Sequence, residues 1–298
     1  MTAAATSVDL SRLPPPDVVE VLDFETIFAA LRADFVERFP EFTANVESEP
    51  VIKLMEVFAY RELVLRARIN DAARSVLVAY AGGADLDNLA ALFGVTRQQI
   101  APANPITGAP ATFEDDTALR RRVLLAPDSF SVAGPASAYV FHALSADADV
   151  LDASAISPRP GEVTITILSR SAADGAPSPE VLDAVEALLA GDGIRPLTDL
   201  VTVAGAASVD FDIDAQLVLY PGPDQQLILA TAEAALDQLL QASRRLGRDI
   251  TRSAIIAALH VGGVQNVILN SPVSDVAVDL TQIANVGARA VSVAGFGS

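Results

Sequence analysis

Residues 49–95 read EPVIKLMEVFAYRELVLRARINDAARSVLVAYAGGADLDNLAALFGV, and the rest of the chain is organised around them. Pro50 stands where a first helical turn tolerates it, no later Pro or Gly intervenes, and Gly82-Gly83 supply a stop. The stretch therefore predicts one uninterrupted helix of about thirty residues, on the order of 45 Å long. At 100° per residue, one face carries Val51, Leu54, Met55, Phe58, Leu65, Ile69, Ala72, Ala73, Val76 and Tyr80. Glu62 falls inside that face and Arg66 at its edge, in the order an i,i+4 ion pair prefers. Further apolar residues leave little of the circumference polar, so the helix needs neighbours on several sides, other chains among them. After Gly83, Asp85 is the expected cap of a short second helix that Gly94 closes.

Outward from this stretch, residues 1–22 form an extended arm around Pro14-Pro15-Pro16. Asp23 caps a helix with the apolar stripe Phe24, Ile27, Phe28, Leu31, Phe35 and Phe39, so residues 23–96 make a helical bundle region. Residues 97–113, with three prolines and no period, read as a linker or long loop. A helical connector over 114–150 follows, opened by Glu114-Asp115-Asp116 and carrying Arg120, Arg121 and Arg122 toward its end, as the helix dipole prefers.

From Val150 the pattern turns to strands. Val163, Ile165 and Ile167 alternate, Ser178-Pro179 starts a helix, and 200–203 is a strand, giving a first α+β domain over 151–207. A second over 208–298 begins with the alternation Val209 to Leu219, continues through two helices and the strand 264–269, and gains a further strand near 286–293. The fold class is α+β: an N-terminal helical region with one long bundle helix, then two successive β-α-β units.

Composition narrows the function. The 298 residues hold 51% apolar residues, 20 Lys and Arg against 38 Asp and Glu, and no Cys. A formal net charge of −18 argues against a nucleic-acid surface, and the lack of Cys excludes disulfides and thiolate chemistry. No signal peptide and no apolar run of membrane-spanning length is visible, so no membrane association is expected. Asp210, Asp212 and Asp214 alternate on one strand face, but Ala215 stands where an EF-hand loop needs Gly, and a solvated face is the expectation. Gly191 and Gly193 follow a helix, as a terminating turn does. His142 and His260 sit in helical stretches without a nucleophile or ligand motif. Arg244, Arg245, Arg248 and Arg252 form a basic cluster that faces either a carboxylate-rich partner or the end of its own helix. No catalytic, metal-ligating or cofactor-binding constellation is predicted.

Residues 47–90 resemble the N-terminal signature of baseplate J-like proteins of contractile phage tails and related injection particles. Residues 131–170 (SVAGPASAYVFHALSADADVLDASAISPRPGEVTITILSR), 191–206 (GDGIRPLTDLVTVAGA), 216–224 (QLVLYPGPD) and 244–267 (RRLGRDITRSAIIAALHVGGVQNV) resemble further stretches of that family in the same order. The resemblance implies a non-enzymatic, cofactor-free component of the baseplate wedge. It implies pairing with a second copy, partnership with tail protein I-like and W-like neighbours, six wedges in a ring around the hub and spike, and rearrangement on sheath contraction. Assembly in the host bacterial cytoplasm follows from the same likeness. Matching positions in the helix include Glu49, Pro50, Lys53, Leu54, Ala59, Tyr60, Arg61, Glu62, Arg68, Asn70, Ala72 and Ala73. The expected partner contacts are Leu54, Phe58, Glu62, Leu65, Arg66 and Ile69, with Arg244, Arg245 and Arg248 as a pairing surface in the C-terminal domain. The alternatives are a tail-associated hydrolase and a regulatory module that captures a partner helix.

Overall fold

The structure, a computed structural model, describes residues 14, 16–43, 46–131, 133–191, 193–222 and 224–297. The arm predicted over residues 1–22 thus lies largely outside the described residues. Two compact units are present: one holds the described residues up to Arg97 together with Asp115–Val123, the other Gln98–Glu114 and everything from Leu124 onward. The architecture is α+β with a helical N-terminal region.

In the helical unit, α1 (Phe24–Arg38) starts as predicted, with the Asp23 carboxylate accepting the Thr26 amide at 2.8 Å. It packs on α2 (Pro50–Ser75), whose first turn takes Pro50. Of the predicted stripe on α1 only Ile27 is buried; Phe24 stacks on Phe28, and Phe35 meets Phe39 and Phe42 edge-on.

The long helix is shorter than the sequence predicts. It ends at Ser75, and residues 76–80 are turns in which Leu77 donates to Arg74 and both Tyr80 and Ala81 donate to Leu77. The turns that follow are held by a non-local contact. Arg120, on α4 (Asp116–Leu125), donates to the carbonyls of Val78 and Ala81 at 2.7 and 2.6 Å, which gives these groups a partner outside any helix. The short helix α3 (Gly83–Ala91) begins two residues before Asp85, so Asp85 lies in its first turn and is not its cap. The Gly83 amide is instead received by the Asp116 carboxylate, 33 residues away in sequence. A Cβ on Gly82 would stand 2.8 Å from that carboxylate, and Gly83 has φ +53°, so the glycine pair fits both the approach and the turn.

Residues 97–113 are not a structureless linker. Strands β1 (Gln99–Ala101) and β2 (Thr112–Phe113) pair antiparallel, and Asn104 bridges to Ala109. The Asn104 side chain accepts the amides of Ile106 and Thr107, and Gly108 at φ +72° completes the reversal. The predicted acidic helix start is divided as well: Glu114 is buried outside α4 and accepts the Gln98 amide, while Asp115 receives the Ala118 amide.

The first α+β module places α5 (Ala136–Ala146) and α6 (Pro179–Leu189) against strands β3 (Val150–Ile156), β4 (Glu162–Ser169) and β5 (Leu200–Gly205), in the order β3-β4-β5. Strands β4 and β5 run parallel across α6, and β3 pairs antiparallel with β4. Tyr139, Leu144, Ile165, Ile167, Val185 and Leu189 form the centre of its core. In the second module, β6 (Ala207–Leu219) lies between β7 (Val264–Ser271) and β8 (Gln282–Phe296). Here the predicted β-α-β round closes differently. Two helices, α7 (Gln225–Ser243) and α8 (Arg252–Leu259), separate β6 from β7, so the chain comes back antiparallel, and the parallel neighbour of β6 is β8. Ile213, Leu217, Leu236, Ile255 and Leu259 fill this core.

Candidate assembly interface

Among the described residues, helix α2 packs on its own chain along one line. Ile52, Met55, Ala59 and Asn70 are buried, at the i, i+3, i+7 and i+18 spacing of a single face. The Asn70 amide reads the backbone of the preceding segment in both directions: its Oδ1 accepts the Glu20 amide at 3.0 Å, and its Nδ2 donates to the Glu20 carbonyl at 2.8 Å. A buried amide in mid-helix is costly unless bonded, and here both ends are.

About a quarter-turn to a third of a turn away, Leu54, Phe58, Leu65 and Ile69 are 55%, 56%, 63% and 57% exposed. They share one face of α2 and span about 22 Å at helical rise. Val57, Tyr60 and Val64 widen the apolar area at its flank and are exposed too. Four large apolar side chains on one helix face exceed the scattered exposure that folded chains ordinarily show. Of the face predicted from periodicity, the chain itself buries Met55, whereas Leu54, Phe58, Leu65 and Ile69 stand free of it.

Glu62 and Arg66 lie between the two faces and form an i,i+4 ion pair at 2.8 Å; Arg66 also reaches Glu20 at 3.3 Å. Both side chains stay partly exposed, so the pair sits at the rim of the apolar strip.

The base of the helical unit is held by arginines. Arg97 bonds Asp87 and Asp116 at 2.8 and 2.7 Å. Burial works against its charge, but the bonds to Asp116 and Asp87 together outweigh that and raise its pKa above the ordinary arginine value. Arg97, with the Gly83 amide behind it, holds the Asp116 carboxyl below the usual carboxylate range. Arg122, buried, donates to the Thr96 carbonyl. Arg122 lies in the last turn of α4, as the dipole prefers, and both it and Arg120 also bind carbonyls of distant turns. Reading the sequence missed this network, for which the local signal was the Arg triplet itself.

The C-terminal arginines separate. Arg244 caps α7 and donates to the carbonyls of Ser169 and Ala172 within the chain. Arg245 is half-buried and Arg248 exposed. Asp210 accepts from Ser208 and Asn285, Asp212 from the Ala288 amide, and Asp214 from Asn270, so each of these exposed carboxylates has its own partner. Among the described residues no group of three or more His, Cys, Asp or Glu could hold a metal ion, and no helix is long and apolar enough to cross a membrane. Burial in α5 pushes the His142 imidazole down, partly offset by its bond with the backbone of Ser129.

The Baseplate J-like N-terminal domain matches residues 47–104, the Baseplate J-like central domain 131–205, and the Baseplate J-like protein C-terminal domain 211–293. Baseplate protein J of Escherichia phage P2 is 46% identical over 284 residues, which cover 92% of this chain and 94% of that protein. A chain in the cryo-EM structure of the anti-feeding prophage baseplate, 6-fold symmetrised, is similar over 60% of this chain and 42% of its own length, with 15% identity and a TM-score of 0.42.

Proposed function

The chain belongs to the baseplate J-like family, and on that premise we propose that it is a non-enzymatic structural part of the baseplate wedge of a contractile phage tail or phage-like particle. The observation that supports this most is the uncovered face of α2. Its apolar strip needs a partner helix, and the Glu62–Arg66 pair at its rim fixes the register in which that helix lies. The partners are a second copy of this chain and a tail protein I-like neighbour in a shared bundle, with a W-like protein alongside. Arg248, exposed beyond α7, belongs to the surface on which C-terminal modules of adjacent wedges pair. Six wedges form the ring around the hub, which widens when the sheath contracts.

The test is co-expression with the neighbouring wedge protein, followed by native mass measurement. Two copies of this chain with one partner are expected. Leu65→Asp places a charge in the apolar strip and abolishes the complex while leaving the C-terminal modules folded. A normal complex from that variant would contradict the interface, and cell-wall clearing by the purified chain would contradict the non-enzymatic role.

A further inference from the structure

Where the two α+β modules meet, the chain passes from β5 to β6 through one residue, Ala206, whose amide bonds Ile167 of the first module while the next amide, of Ala207, bonds Thr281 of the second. A small dry cluster closes over this crossing: Leu168 from the first module, Leu246 and Ile283 from the second, 0%, 9% and 2% exposed. At its side lies a buried carboxylate. Asp152, in β3 and 4% exposed, accepts the amide of its neighbour Ala153 at 2.8 Å and, across the joint, the Leu246 amide at 3.0 Å. Ser154, two residues on and facing the same way, donates to the Leu280 carbonyl. Arg244 crosses in the opposite direction to the carbonyls of Ser169 and Ala172. Gly175 has φ +78°, and any Cβ there would run into Leu168 beside Ile283, so this loop too is shaped to the joint.

Asp152 is buried where the modules meet, and its bond to the Leu246 amide satisfies a donor of the other module there; removing the carboxylate while the joint stays closed leaves that buried amide without this acceptor. The bonds run both ways across the joint, and the connection has almost no slack. We propose that Asp152 is a positioning residue that locks the central and C-terminal modules into one rigid body, so that a load applied to either is carried by both. The lock follows from the joint alone and does not depend on which partners the helical unit takes.

The chain has no Cys, so two can be introduced for labelling without background. Spin labels at Glu186→Cys on α6 and Glu233→Cys on α7, both exposed positions, report the spacing of the modules in the full-length protein. The wild-type joint gives one narrow distance distribution. Asp152→Ala broadens it and speeds exchange of the Leu246 amide about tenfold or more, as loss of a bond to a charged acceptor requires. Should that variant not fold, Asp152→Leu, which keeps the branched shape and has no acceptor oxygen, shifts both readouts in the same direction. A broad distribution in the wild type, or unchanged width and exchange in the variant that folds, would overturn the lock.

Discussion

The helical unit and the α+β modules solve the burial problem in opposite ways. Each module closes a core of its own, with Ile165, Ile167 and Val185 fully buried in one and Leu217, Leu219 and Ile255 in the other. Helix α2, with 26 residues, buries only Ile52, Met55, Ala59 and Asn70, and the turns that follow it are held by Arg120. A region that leaves Leu54, Phe58, Leu65 and Ile69 exposed carries an apolar strip larger than scattered surface residues make. On the proposed reading the modules are complete as folded, whereas the helical unit is completed by its partners.

The contrast can be broken first in the modules. Leu217→Ala, at a position 0% exposed, should cost about 3 kcal/mol in a denaturant titration of the C-terminal signal, since the cavity cannot collapse in a close-packed sheet and helix layer. Next comes the clamp: Arg120→Met strips the partner from the Val78 and Ala81 carbonyls and should lower the stability of the helical unit by about 2 kcal/mol, read by exchange of α3 amides. A smaller effect is expected from acid. The folded pKa of Asp116 is depressed by Arg97, so its contribution is present above the unfolded value near 3.8 and is lost as pH falls through the lower folded value. Asp116→Asn should flatten that acid limb in the helical unit and leave the modules' limb unchanged. Smallest of all, Leu65→Ala should alter the free chain's stability by no more than about 0.5 kcal/mol, although Leu65→Asp is expected to prevent assembly. A core-sized loss from Leu65→Ala would show that the strip is covered by the chain itself.

Burial also makes His142 a pH reporter of the first module. Its folded pKa lies below the unfolded value of 6.5, so the unfolded chain binds the proton more readily and stability falls as pH drops below about 6.5. Replacing His142 with Gln should remove that slope from a thermal-melting series between neutral and mildly acid pH.

What was legible in the sequence was local. Asp23 before Phe24, Pro50 at a helix start, Ser178 before Pro179 and the alternation along β6 each act on the nearest few residues, and each appears where its chemistry puts it. What was not legible depends on residues far apart. The stop at Ser75 comes with Arg120, the start of α3 with Asp116, and the direction of β7 with the number of helices before it. The hairpin at 99–113 escaped notice because its strands are two or three residues long, too short for a period, although Asn104 and Gly108 carried its turn. The strip on α2 was half-visible. Periodicity placed Leu54, Phe58, Leu65 and Ile69 together with Met55, but only the packing of α1 and of the Glu20 segment showed which of them the chain covers.

The measurement that bears most directly on this account is hydrogen exchange along α2 in the free chain and in assembled particles. The account predicts that amides from Leu54 to Ile69 gain strong protection on assembly, while those of β4 and β6, protected by their own cores, change little. Unchanged exchange along α2, with the gain falling on the modules instead, would contradict it.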